Sequence, residues 1–124
     1  MSSATIEVLG DSEEVLADIF GPGFAGKGSI ARGLNGQATL QLVEYEESRG
    51  FGFEYALQIV LDFGRDVAVD MVAAWLLERL SHSTKFVKFD GRTYQIGLPD
   101  LTTLATRVRD RLVDHHDRSK SPRP

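Results

Sequence analysis

Residues able to do chemistry are few in this chain, and their spacing decides what they can do. Of its three histidines, His115 and His116 are adjacent, flanked by Asp114 and Asp117, and His82 stands alone. Neighbouring side chains on a helix project about 100° apart, so this pair cannot hold one ion from one face. Positive charge at the end of a helix interacts favourably with the helix dipole, which accounts for the pair without a metal. Ser48, Ser81 and Ser83 lack the G-x-S-x-G setting of a nucleophile elbow. Asp66 and Asp70 fall on one face of an expected helix, a spacing that suits proton transfer and a solvated surface equally. The sequence therefore leans away from an enzyme and calls for no catalytic residue, no metal and no cofactor.

Gly21 to Lys27 reads G-P-G-F-A-G-K, which meets the first part of the phosphate-binding pattern G-x-x-x-x-G-K-[ST]. Gly28 stands where that pattern needs a hydroxyl for magnesium, and the segment follows a predicted helix where a strand is required. Read by itself, the glycine-rich stretch from Gly21 to Gly36 is a long loop. Lys27 and Arg32 are its candidate ligand-binding residues, and an anionic ligand or nucleotide would be what they meet.

Arg49-Gly50-Phe51-Gly52-Phe53 resembles the core octapeptide of the RNA recognition motif, matching it at five positions. The resemblance implies a β-α-β-β-α-β fold and a sheet face on which aromatic residues stack bases. The pattern departs at Glu54 and Ala56, where that family has apolar residues facing its core, and at Glu7, where the companion strand needs an aromatic. Glu44, Glu46 and Glu47 add a negative field that repels phosphates.

The elements that must position these residues follow from periodicity. Thr5 to Leu9 is a first strand, and Asp11 with Glu14 opens a helix over Ser12 to Phe20. Thr39 to Glu46 is a second strand, and Ser48 to Gly50 turns the chain into a third. From Phe51 to Phe63 every odd position is large and apolar, which predicts a long strand with Phe51, Tyr55, Leu57 and Ile59 facing inward. Arg65 to Leu80 shows helical spacing, with Ala68, Val72, Trp75, Leu76 and Leu80 as its apolar stripe. Thr84 to Phe89 and Arg92 to Ile96 flank Asp90-Gly91 and form a hairpin. Pro99 and Asp100 open a last helix carrying Leu101, Leu104, Ala105, Val108 and Leu112. The expected fold is α+β: an antiparallel sheet of about five strands in β-α-β-β-α-β-β-α order, a ferredoxin-like sandwich with its helices on one face. Residues 1–116 form a single domain, and 117–124 are a disordered tail.

Composition bounds the function. The chain has 124 residues, no cysteine and a net charge of −4. This disfavours nucleic acid as a partner and fits a cytoplasmic protein. Its longest apolar run, Met71 to Leu77, is too short to span a membrane. The expectation is a non-catalytic interaction domain, a homodimer or an accessory protein with a protein partner, with Arg49, Phe51 and Phe53 at the interface where the long strand overhangs the core. The alternatives are the anionic-ligand sensor using Lys27 and Arg32, and an RNA-binding domain.

Overall fold

The computed structural model describes residues 4–10, 14–21, 26–47, 55–80 and 83–120, and at 47 and 113–120 it describes the backbone alone. The strands are β1 (Ala4–Gly10), β2 (Ile30–Gly33), β3 (Ala38–Glu47), β4 (Tyr55–Phe63), β5 (Thr84–Phe89) and β6 (Arg92–Gln95). The helices are α1 (Glu14–Phe20), α2 (Val69–Leu80) and α3 (Leu98–Lys120). The strands form one antiparallel sheet in the order β2-β3-β4-β1-β5-β6.

Alternation along the strands places the core on one side. Ile6 and Val8 of β1, Leu40 and Leu42 of β3, Leu57, Ile59 and Leu61 of β4, and Val87 and Phe89 of β5 all join one buried cluster. The stripes of the three helices meet that same cluster: Val15, Leu16 and Ile19 from α1, Val72, Trp75, Leu76 and Leu80 from α2, Leu101, Leu104, Ala105 and Val108 from α3. The sheet is therefore covered by helices on one face, as the alternation from Tyr55 to Phe63 requires. Phe51 and Phe53, the start of that pattern, lie outside the described residues.

Among the described residues the sheet has six strands, where about five are expected. The added one, β2, lies inside the stretch 21–36 that the sequence presents as a loop. It pairs with β3 from Ile30↔Gln41 to Gly33↔Ala38, and Leu34 and Asn35 close the hairpin at φ 54° and 59°. Gly33 is required there by packing: a Cβ on it would meet the Trp75 indole nitrogen at 2.2 Å. The β5–β6 hairpin turns as expected, with Asp90 and Gly91 at φ 55° and 80°, the signature of a type I′ turn.

Two helix boundaries differ from those the periodicity implies. Helix α2 begins at Val69, so Ala68 is exposed ahead of it. The preceding residues form a turn, in which the Val67 amide donates to the Gly64 carbonyl at 3.2 Å. Arg109 of α3 donates to the Val67 carbonyl and lies 5.2 Å from the Phe63 ring centroid, which fixes that turn against the end of β4. Helix α3 continues to Lys120, past the expected end near His116. Nothing in 113–120 is glycine or proline, so no residue there breaks the helix. At its other end, the Asp100 carboxylate accepts the Gln95 amide at 2.8 Å, tying the start of α3 to edge strand β6. Among the described residues no helix is long and apolar enough to cross a membrane.

Candidate interaction surface

The strand register assembles the face of the sheet that points away from the described helices. On that side one row crosses five strands as Glu44, Gln58, Glu7, Lys88 and Thr93. The next row reads Glu46, Ala56, Leu9, Phe86 and Gln95, and on the other side of the first lie Ile30, Gln41, Val60 and Thr5. A bulge in β3, where Leu42 faces Ile59 but Glu44 faces Gln58, inserts Val43 and turns it outward beside Glu44.

This face is mixed in chemistry. Val43 is 50% exposed and Ile30 is 42% exposed, and with half-buried Val60 they surround Gln41 on three adjacent strands. Leu9 and Ala56, by contrast, are 2% and 7% exposed on the side away from the helices, and neither belongs to the main core. Polar contacts thread between them. Gln58 Nε2 donates to Glu7 Oε2 at 3.1 Å, and the Lys88 ammonium lies 5.9 Å from the Phe86 ring centroid. Lys27 Nζ meets Glu44 Oε1 at 2.8 Å. The hydrogen bond and charge of that pairing hold the Glu44 carboxyl below the ordinary carboxylate value and raise Lys27 above the ordinary ammonium value.

The residues that drew attention in the sequence are distributed differently. Lys27 and Arg32 do not converge: Lys27 reaches Glu44, whereas Arg32 lies on β2 opposite Thr39, and those two positions are about 16 Å apart along β3. The chain after Lys27 enters β2 and not a helix, so no helix N-terminus follows to receive a phosphate. Arg49, Phe51 and Phe53 lie outside the described residues, as do Ser48, Ser81 and His82. Ser83 is buried and donates to Asp18 Oδ2 at 2.6 Å, which joins the end of α2 to α1. Asp66 sits in the turn before α2 and Asp70 in its first turn, so the two do not share a helix face. Among the described residues no group of three or more His, Cys, Asp or Glu is arranged to hold a metal ion. Where the RNA-binding octapeptide sends its last residue into the core, Ala56 lies on the face away from the helices, and Leu57 and Ile59 point to the helices.

Sequence reasoning missed Ile30, Val43 and Val60 as a group. They come from three strands, and only the register brings them together. A second apolar feature lies across the molecule: an open groove of about 270 Å³ lined by Leu34, Met71, Ala74, Trp75 and Glu78, where the β2–β3 hairpin meets α2. No family model, no curated protein and no solved structure matches the chain.

Proposed function

We propose that this chain is a non-catalytic interaction domain that docks a protein, a second copy of itself or a separate partner, at the β2–β3 end of the sheet face that points away from its helices. The observation that carries the reading is the group Ile30, Val43 and Val60 around Gln41, on the face away from the described helices, with Ile30 and Val43 exposed. An antiparallel sheet tolerates one solvated face, but such faces are normally polar, and adjacent β-branched aliphatics there favour association. The fold is read as an elaborated ferredoxin-like sandwich. Setting aside β2, β6 and α3 leaves β1-α1-β3-β4-α2-β5 in chain order, with β1 between β4 and β5 in the sheet. A cytoplasmic setting accords with the cysteine-free composition.

Val43→Lys tests the reading, because its exposed side chain can change without disturbing the core. The wild-type chain is expected to associate, measured by light scattering and by capture from its native host, and Val43→Lys to lose that association while melting within a few degrees of wild type. A wild-type chain with no associate, or a Val43→Lys chain that keeps the same one, overturns it.

A further inference from the structure

We propose that the outer edge of β2 is a strand-pairing site for a second copy of this chain, joining two sheets edge to edge about a two-fold axis that stands perpendicular to them beside Ile30. The site is the edge of the sheet and is separate from the face on which the docking reading rests.

Hydrogen-bond direction along β2 decides what this edge offers. The Gly28 amide donates to the Leu42 carbonyl at 2.7 Å, and the Leu42 amide to the Ser29 carbonyl at 2.9 Å. At the other end of β3 the Gly64 amide donates to the Gln37 carbonyl at 2.9 Å, so Ala38, which faces Phe63, turns its own main chain to β2. Direction alternates along an antiparallel ladder. Ala31 and Gly33 therefore bond to Leu40 and Ala38, and Ile30 and Arg32 point their main-chain groups outward. Among the described residues no hydrogen bond outside the ladder reaches Ile30 or Arg32. Ile30 is 42% exposed and Arg32 is exposed, whereas Ala31 between them is buried because its side chain enters the core.

The opposite edge of the sheet is closed. Phe89 and Arg92 flank the two-residue turn and bond to each other, so Thr93 and Gln95 turn outward, and the Asp100 carboxylate accepts the Gln95 amide. An unpaired edge is a template for another strand unless charge, proline or a covering group blocks it. Strand β2 holds no proline and one charge, Arg32.

That charge and Ile30 choose the register. A two-fold pairing centred on Arg32 sets Arg32 against its twin, and like charges directly opposite oppose association. Centred on Ala31, it sets Ile30 beside the charged side chain of Arg32. Centred on Ile30, it covers two exposed aliphatic side chains with one another, exchanges both hydrogen bonds of that pair, and places Arg32 opposite Gly28 of the second copy, which has no side chain to oppose it. The perpendicular axis keeps both sets of helices on one side of the joined sheet. There Met71, Ala74, Trp75 and Glu78 form one stripe of α2 along the open groove beside Leu34, and Met71 is 53% exposed. The edge that pairs is thus also the edge with uncovered apolar surface in the helix layer.

The test uses the absence of any natural cysteine. Ile30→Cys is expected to form an interchain disulfide under mild oxidation, because hydrogen-bonded strand partners lie about 5.5 Å apart between Cα atoms, and Arg32→Cys, with its twin about 14 Å away, is not. Wild type is expected to shift from one chain to two as concentration rises in sedimentation. Arg32→Pro removes an outward amide without taking a bond from β3, and is expected to associate about tenfold or more weakly with unchanged circular dichroism. Arg32→Ala keeps the amide and is expected to associate like wild type. If Arg32→Pro unfolds the chain, the cysteine pair decides. A wild type that stays a single chain, an Arg32→Cys chain that cross-links as fast as Ile30→Cys, or a folded Arg32→Pro chain that associates undiminished overturns the site. Val43→Lys lies on the face and is expected to leave this pairing intact. An associate lost with Val43→Lys but kept by Arg32→Pro belongs to the docking face, so either reading can fail without the other.

Discussion

Along β4, Leu57, Ile59 and Leu61 are fully covered by the helices, whereas Gln58 and Val60 are half-buried and Asp62 is exposed on the side without them. The two faces share one backbone and one set of hydrogen bonds, so what separates them is the side chains alone. On the covered face each aliphatic residue withdraws from water completely, worth about 1.5–3 kcal/mol. On the bare face stability comes from cross-strand pairs such as Gln58 with Glu7, worth about 0.2–1 kcal/mol each. Sensitivity to mutation should therefore alternate from Leu57 to Asp62 along this strand.

The strongest way to break that contrast is truncation. Ile59→Ala or Leu61→Ala should cost about 2–5 kcal/mol in urea unfolding, and Val60→Ala, between them, less than about 1 kcal/mol. Comparable losses at all three would mean that the bare face is packed as tightly as the covered one. Gly33→Ala comes next, because its new methyl must displace the indole of Trp75. The expected cost is about 1–3 kcal/mol, with a shift in the emission of the chain's single tryptophan.

A smaller effect of opposite sign is expected on the covered face. The Tyr94 hydroxyl is buried and finds no hydrogen-bond partner among the described residues. Burying such a group is unfavourable, so Tyr94→Phe should leave stability unchanged or raise it by up to about 1 kcal/mol in the same unfolding assay.

The smallest effect belongs to the exposed pair Lys27 and Glu44. Its contribution through Glu44, whose carboxyl is lowered, is present above the ordinary carboxylate value and lost as pH falls through the lowered one. Its contribution through Lys27, which is raised, is present below the ordinary ammonium value and lost as pH rises through the raised one. Lys27→Met should therefore flatten the melting temperature against pH at both ends of that window, and added salt should do the same to wild type.

Much of this architecture is legible from residue order. The apolar alternation ending at Phe63, the stripe from Leu101 to Leu112 and the Asp90-Gly91 turn each encode their element locally. Strand β2 is not legible, because four residues offer only Ile30 and Ala31 as apolar positions among many glycines, and what makes them a strand is the backbone of β3 alongside. The same cause hides the candidate surface. Lys27 and Arg32 look like neighbours in a loop but are separated by the extension of a strand, and Val43 faces outward only because a bulge adds a residue there. Cross-strand register is a property of the assembled sheet, and no local pattern reports it.

The place of β1 in the sheet bears on how the chain folds. The first strand lies in the interior, with β4 on one side and β5 on the other, so its Ile6 is bridged to Ile59 and its Val8 to Val87. Loops of this length must close before those pairings stabilise anything, which makes folding slow relative to a helical chain of equal size. As the chain is synthesised, one edge of β1 stays unpaired until β4 is complete at Phe63 and the other until β5 is complete at Phe89.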